Sequence, residues 1–289
     1  MLNGIMLLWF ILTGLSVLFV ALDIRSTPES PVLKWGFVLL TAYTGPVGAF
    51  LYVLGCREPL PETHEQYVKV RWRQVLGSTM HCVAGDGVGI LAGAVIGAVI
   101  RLPRLANIGL EYLLGFGFGW TIFQALFMRD MAGGSYKSAL RRTFISELLS
   151  MNWLMAGMVP AMTLAMIALP GSHDPRTADF WFVMSMALLT GFISAYPVNW
   201  WLVSKGLKHG MMTVRSRVHE KDPKSQSGGS LHEKVHSQPR EVHGSGHSDG
   251  NSDSNVAVGL VAALSFLAFA IGLGVAALLK ALAPMSLSM

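Results

Sequence analysis

Five methionines recur at intervals of three or four residues along one apolar stretch of the chain. They are Met151, Met155, Met158, Met162 and Met166, and Glu147 precedes them by about one turn. Because an α-helix has 3.6 residues per turn, this spacing places all six side chains on one face. Thioethers bind soft ions such as Cu(I), but methionine is also a flexible apolar side chain that fills helical cores. The stripe therefore allows two interpretations, a metal path and simple packing.

A second group of metal-binding side chains opens an earlier apolar stretch. Cys82 and Asp86 are four residues apart and share a helical face, whereas His81 points roughly 100° away. Thiolate, thioether and imidazole ligands together favour Cu(I), while carboxylates alone suit protons or hard cations. We therefore expect an intramembrane copper site, with copper as the bound or transported ion. Its predicted ligands are His81, Cys82, Asp86, Glu147, Met151, Met155, Met158 and His209.

Further polar side chains fall inside apolar stretches, where each is costly unless it faces a partner or a wet cavity. Counted along the predicted helices, most of them lie in the same half of the membrane as the expected metal site. We expect them to line one cavity open to the cytoplasm, with Glu111 as the exception near the opposite end. The predicted cavity residues are Gln124, Asn152, Tyr196 and Asn199.

The composition identifies the class of protein that must position these side chains. Hydrophobic residues make up 52% of the 289 residues, charged residues make up 13%, and the mean hydropathy is +0.48. A bilayer core about 30 Å thick takes roughly 20 apolar helical residues to cross. The sequence therefore predicts an all-α polytopic protein of the lipid bilayer with about seven transmembrane helices. The predicted spans are 2–22, 33–55, 78–100, 106–128, 144–169, 180–204 and 256–282.

The distribution of basic residues predicts the orientation in the membrane. The connections around 56–77, 129–142 and 205–255 contain 16 of the 22 lysines and arginines. Because basic connections remain in the cytoplasm, we expect a multi-pass inner (plasma) membrane protein with a cytoplasmic N-terminus and an outside C-terminus. The net charge of +5 follows from this topology and calls for no nucleic-acid partner. Cys56 and Cys82 then lie near the cytoplasmic face, where thiols stay reduced.

Glycine spacing predicts a helix-packing surface in the third span. Gly85, Gly89, Gly93 and Gly97 recur every fourth residue and form a smooth ridge that another helix can approach closely. The partner helix belongs either to the same chain or to a homo-oligomer or membrane complex. Residues 213–255 differ from the spans because they are rich in Ser, Gly, His and charge, which predicts a disordered linker.

The sequence favours binding or transport over catalysis. It contains no phosphate-binding glycine loop, no H-E-x-x-H pair and no serine in a nucleophile elbow. An intramembrane aspartyl protease needs two membrane aspartates, and Asp86 is the only aspartate within the predicted spans. Two alternatives to copper remain open. One is a proton-coupled small-molecule permease using Asp86 and Glu147, and the other is an assembly or scaffold subunit docked through the glycine ridge.

Three segments resemble a bacterial membrane family, domain of unknown function 4396. They are HCVAGDGVGI (81–90), ELLSMNWLMAGMVPAM (147–162) and YPVNWWLVSKGLKHGM (196–211). The resemblance covers about residues 70–212 and implies a compact four-helix membrane module formed by spans three to six. The expected organisation then has four parts. They are two N-terminal helices (1–69), the core module (70–212), the linker (213–255) and a C-terminal transmembrane helix (256–289).

Overall fold

The computed structural model describes residues 2–58, 60, 63–132, 135–208, 210 and 251–286. Every regular element among these residues is helical, which confirms the predicted all-α class. The α-helices are α1 (Leu2–Asp23), α2 (Pro31–Thr44), α3 (Pro46–Gly55), α4 (His64–Val68), α5 (Arg71–Val99), α6 (Arg104–Phe118), α7 (Ala125–Ala132), α8 (Tyr136–Ala168), α9 (Ala178–Ser204) and α10 (Asn251–Ser286). A π-helical segment (Gly119–Gln124) joins α6 to α7, and a short 3-10 helix (Pro170–His173) precedes α9.

Five of the described helices are long and apolar enough to cross a membrane, namely α1, α5, α8, α9 and α10. This agrees with the predicted polytopic helical membrane protein. The outer helices α1 and α10 expose large apolar side chains, such as Leu7 at 63% and Leu260 at 60%, as expected of surfaces that face lipid. The fourth predicted span consists of α6, the π-helical segment and α7, which together run without a break from 104 to 132.

The second predicted span, 33–55, does not cross the bundle as one helix. It is a hairpin of α2 and α3 that turns at Gly45, whose positive φ of 63° favours glycine, and Pro46 opens the second arm. Tyr52, near the end of α3, returns to the end of α1, where its hydroxyl donates to Asp23 Oδ2 at 2.9 Å. Arg57 pairs with the same carboxylate at 3.0 Å. Entry and exit of the hairpin therefore lie at one end of the molecule.

The hairpin reaches only part of the way along α1. At its tip, a Cβ on Gly45 would touch Trp9 and Thr13, which lie near the middle of that helix. The base of the hairpin, the start of α5 and the end of α9 meet at what we call the basal end, where Tyr196 bonds to the Trp72 carbonyl at 3.3 Å. The first half of α1 lies towards the opposite end, because Trp9 donates to Ser185 in the first turns of α9 at 3.2 Å.

The glycine ridge of α5 packs against the following helical segment of the same chain. A Cβ on Gly89 would overlap the Leu114 carbonyl group, and one on Gly93 would lie 2.8 Å from the Glu111 Cα. Likewise, a Cβ on Gly85 would lie 2.9 Å from the Gly119 Cα. The small residues thus allow close approach of two backbones. This approach brings the π-helical segment next to Asp86.

The last helix docks on α8 and runs parallel to it. Asn152 Nδ2 donates to Ser265 Oγ at 3.0 Å, and a Cβ on Gly272 would meet the Ala156 backbone at 2.6 Å. Most of the predicted linker, residues 213–250, lies outside the described residues, and α10 begins at Asn251. The long apolar helix α10 is therefore packed onto α8.

Candidate functional site

Two carboxylates from different helices meet beside the π-helical segment. Asp86 projects from α5 and Glu147 from α8, and a Cβ on Gly119 would overlap Asp86 Oδ1 and Glu147 Oε1 at once. Gly119 is the first residue of the π-helical segment, a distortion that is frequent at functional sites. The absence of a side chain at this position allows the two carboxylates to approach.

Both carboxylates are removed from solvent. Asp86 and Glu147 are each 0% exposed, and none of their four oxygens has a hydrogen-bond partner within the described part of the chain. Lys208, four residues beyond α9, extends into the same interior, and its Nζ lies 3.8 Å from Glu147 Oε2. A buried charge is expensive unless it is paired. One ammonium group balances one of the two carboxylates, so the cluster is neutral when the other carries a proton.

Amide side chains hold the lysine in place. Lys208 Nζ donates to Asn199 Oδ1 at 2.7 Å, and Asn199 Nδ2 donates in turn to Ser150 Oγ at 2.9 Å. Within the same cluster, Gln124 Nε2 donates to Cys82 Sγ. These bonds satisfy buried polar atoms on α5, α8, α9 and the π-helical segment. We call Cys82, Asp86, Gln124, Glu147, Ser150, Asn199 and Lys208 the polar cluster.

A cavity of about 310 Å³ adjoins the polar cluster towards the basal end. Gln124 and Lys208 line it together with Arg142, Thr143 and Ser146. Arg142 is exposed, whereas Thr143 and Ser146 are buried at 5% and 3% exposure. The cavity therefore extends from Arg142 at the surface to the lysine that faces Glu147.

The structure separates the other predicted metal ligands from the cluster. His81 is directed towards α2 and the π-helical segment, where its Nε2 lies 3.0 Å from the Phe123 carbonyl oxygen and its ring packs edge-on against Phe123. Met155 and Met158 are 0% exposed within the apolar core, beside residues such as Leu154. Predicted ligand His209 lies outside the described residues.

The position of Met151 is compatible with both interpretations of the stripe, packing and metal binding. Met151 belongs to the apolar core. A Cβ on Gly115 would lie 2.8 Å from the terminal methyl group of Met151 and 3.2 Å from the backbone oxygen of Asp86, so both residues adjoin the same glycine. Met162 is 3% exposed in the same core. The stripe thus packs along most of its length and approaches the polar cluster at Met151.

The predicted cavity residues divide into two pairs. Gln124 and Asn199 belong to the polar cluster. Asn152 instead joins Tyr112 to α10, because its Oδ1 accepts from the Tyr112 hydroxyl at 2.6 Å while its amide donates to Ser265. Tyr196 donates to the Trp72 carbonyl oxygen at the basal end.

Lys208 is a cluster residue that the sequence analysis did not select. A lysine just beyond an apolar span normally lies among lipid headgroups or in water, so nothing in its sequence position indicates burial. In the structure it is only 5% exposed. The chain doubles back after α9, with the Lys208 amide donating to the Leu202 carbonyl oxygen at 3.3 Å. This turn directs the side chain inward.

A second buried group lies at the base of the hairpin. Glu29, Cys56 and His64 each offer one ligand atom, and these atoms lie within 4.8 Å of one another. Within the described part of the chain, this is the place where three His, Cys, Asp or Glu side chains come that close. Burial raises the pKa of Glu29 to about 8, opposed by a hydrogen bond from the Ser30 backbone and by the charge of Lys34. The three residues are far apart in sequence, so their spacing did not indicate a common site, and the hairpin brings them together.

Comparison with known proteins identifies the segment that contains the polar cluster. Residues 71–208 match the family model described as Domain of unknown function (DUF4396), which confirms the predicted resemblance. The matched segment begins with α5 and ends at Lys208, so it contains every residue of the polar cluster. It leaves out α1, the hairpin and α10, and with them Glu29, Cys56 and His64. The chain matches no curated protein and no solved structure.

Proposed function

We propose that this chain, whose residues 71–208 match the DUF4396 family model, is a proton-coupled membrane permease for small anionic solutes. The observation that supports the proposal is the carboxylate pair of Asp86 and Glu147, wholly buried, without hydrogen-bond partners in the described chain and facing Lys208. Ionisable residues at membrane depth commonly mark proton relays and substrate pathways. A packing role alone would not call for two adjoining carboxylates.

Charge balance connects the proton to the anion. With one carboxylate ionised and the other protonated, the cluster containing Lys208 is neutral. When a proton reaches Glu147, the ammonium group loses its partner and becomes available to an anion. The cluster with two protonated carboxyl groups, one ammonium and one bound anion is neutral again. Because unpaired charge in a low-dielectric interior is costly, one proton and one anion enter together.

The entry path is the cavity at the basal end. Arg142 at its surface and Lys208 at its inner side attract anions, and Asn199 keeps the lysine pointed towards Glu147. A small organic or inorganic anion suits a volume of about 310 Å³. The basal end collects most of the basic residues, and the hairpin adds Arg25 and Lys34 to it. We therefore assign this end to the cytoplasmic side of a bacterial inner membrane.

The proposal is tested with purified protein in liposomes that contain a pH-sensitive dye. We expect an inward gradient of one or more of a panel of carboxylates, sulfate and nitrate to acidify the lumen faster than in protein-free liposomes. D86N and E147Q should abolish this acidification. The matched control is E111Q, which removes another buried carboxylate, but one that accepts a hydrogen bond from Asn107 at 2.8 Å. Acidification by no anion of the panel would contradict the proposal.

Soft-metal transport, with copper as the ion, is the second candidate. Cys82 lies within the polar cluster, and Met151 approaches the Asp86 backbone, so two of the predicted soft ligands are near the carboxylates. Met155 and Met158, by contrast, pack in the apolar core. A scaffold role receives less support, because the glycine ridge of α5 contacts α6 of the same chain.

A further inference from the structure

The hairpin base brings together three side chains that are distant in sequence. Glu29 precedes α2, Cys56 follows α3, and His64 is the first residue of α4. All three are buried: Cys56 and His64 are 0% exposed, and the side chain of Glu29 is also 0% exposed. They lie outside the segment that matches the DUF4396 family. The group therefore belongs to the N-terminal helices that this chain adds to the module.

The geometry is close to that of a metal site. His64 Nε2 lies 3.5 Å from Glu29 Oε1 and 3.0 Å from the Cys56 carbonyl oxygen. The three potential ligand atoms lie within 4.8 Å of one another. In tetrahedral zinc sites, bond lengths of about 2.0–2.3 Å place neighbouring ligand atoms roughly 3.5 Å apart. Small side-chain rotations would bring these atoms to that spacing.

The Glu29 carboxylate provides an independent indication that this group binds a cation. Both of its oxygens are fully buried, and beyond a weak contact with the Ser30 backbone neither accepts a hydrogen bond from the described protein atoms. Buried carboxylates are rarely left so poorly satisfied. An ion pair with His64 would supply a single contact at 3.5 Å and give the adjacent thiol no role.

We propose that Glu29, Cys56 and His64 bind one divalent transition-metal ion of the borderline class, with Zn²⁺ as the first choice. One thiolate and one carboxylate neutralise the two positive charges of the ion, and a neutral imidazole completes the protein ligands. The resulting site carries no net charge, as a buried location requires. The Cys56 thiol releases its proton to solvent, and a protonated Glu29 carboxyl group does the same. If the imidazole binds through Nε2, its proton moves to Nδ1 and its contact with the Cys56 carbonyl oxygen is replaced.

Such an ion would fasten the base of the hairpin. It would link the connection after α1, the end of α3 and the start of α4 through three bonds. The basal end also carries most of the basic residues and thus lies on the side where thiols remain reduced. Cys56 is therefore available there as a metal ligand.

The test uses Co²⁺ as a spectroscopic probe of the full-length protein without an affinity His-tag. Tetrahedral Co²⁺ bound to a thiolate gives a charge-transfer band in the near ultraviolet that histidine or carboxylate ligands do not produce. The chain has two cysteines, both buried, so C56S and C82S form a matched pair. Metal-depleted protein is loaded with Co²⁺, and size-exclusion profiles verify that each variant remains folded.

We expect one Co²⁺ per chain with the thiolate band in wild type and in C82S, and complete loss of the band in C56S. Elemental analysis of protein purified without chelator should show about one Zn²⁺ per chain, reduced at least fivefold in H64N. A band that persists in C56S but disappears in C82S would overturn the proposal and move the thiolate site to the polar cluster. A wild-type protein with no band would overturn it as well. Both readouts are independent of transport, so they stand apart from the permease assay.

Discussion

Asp86 Oδ1 and Glu147 Oε1 converge on the space that a side chain at position 119 would occupy. The two carboxylates come from α5 and α8, and they meet because the π-helical segment presents a glycine between them. Lys208 approaches from the end of α9 and supplies one positive charge for two acidic groups. A proton or a cation must supply the second positive charge. The protonation state of this pair is therefore the variable most closely linked to the proposed function.

Adding one methyl group at Gly119 should disrupt this arrangement. In G119A the new Cβ would overlap both carboxylates, and overpacking in a filled interior costs about 1–3 kcal/mol. We expect a lower free energy of unfolding in mixed detergent micelles and loss of anion-driven acidification. The matched control is G117A, since a Cβ at Gly117 would meet nothing within 4 Å. Equal stability of the two variants would contradict the described packing.

Removing the buried ammonium group should be strongly destabilising. K208M leaves the cluster without a positive charge, and breaking a buried ion pair costs about 3–5 kcal/mol. Combining it with E147Q should recover much of that loss, because the uncompensated carboxylate is then gone. A double-mutant cycle on the free energy of unfolding measures this coupling. Additive effects of K208M and E147Q would show that the two side chains do not interact.

Methionine substitutions separate the two candidate functions. Met to Leu is a volume-conserving change that usually costs less than about 1.5 kcal/mol per site, so M151L/M155L/M158L should fold. A proton-coupled permease should keep its anion-driven acidification in this variant. The copper content of the same samples, measured after anaerobic Cu(I) loading, tests the second candidate. Near-stoichiometric copper in wild type that is lost in the triple variant would favour metal transport.

The fold-back of α2 and α3 predicts a different topology from seven crossings. Single cysteines introduced at Ser26 and Lys69, both exposed, should react with an impermeant thiol reagent from the same side of the membrane, after Cys56 and Cys82 are replaced by serine. A cysteine in place of Asp174, which precedes α9 at the other end, should react from the opposite side. With the basal end in the cytoplasm, the start of α1 then lies outside, contrary to the orientation predicted from a spanning 33–55 helix. Labelling of the cysteines at positions 26 and 69 from opposite sides would instead support a 33–55 helix that spans the membrane.

Docking of α10 depends on a small residue at the contact. G272L should separate α10 from α8, because a side chain there would meet the Ala156 backbone. After proteolysis at a cleavage site inserted between 213 and 250, the C-terminal fragment should no longer co-elute with the rest of the chain. G274L is the control, since a Cβ on Gly274 would meet nothing within 4 Å. Co-elution of G272L fragments at the wild-type level would contradict this contact.

Composition and residue spacing were sufficient to predict the membrane class and the helical fold. Long apolar blocks require an environment that only a bilayer supplies, and a lipid-exposed backbone must satisfy its own hydrogen bonds. The glycine interval on α5 likewise indicated a close helix contact, since side-chain volume is a local property. Asp86 and Glu147 stood out for the same reason, because a carboxylate within an apolar helix is costly wherever it points.

The positions of Lys208 and of Glu29, Cys56 and His64 follow from the chain path, which local patterns do not encode. A predominantly apolar block of 23 residues, 33–55, satisfies the length of a membrane span equally well as one helix or as two short arms, and Gly45 with Pro46 marks the difference. Its turn brings the two ends of the block together, because each arm packs against α1 and α5 rather than continuing across. Burial and proximity of charged groups depend on such three-dimensional packing, so the buried position of Lys208 and the group of Glu29, Cys56 and His64 emerged only from the assembled helices.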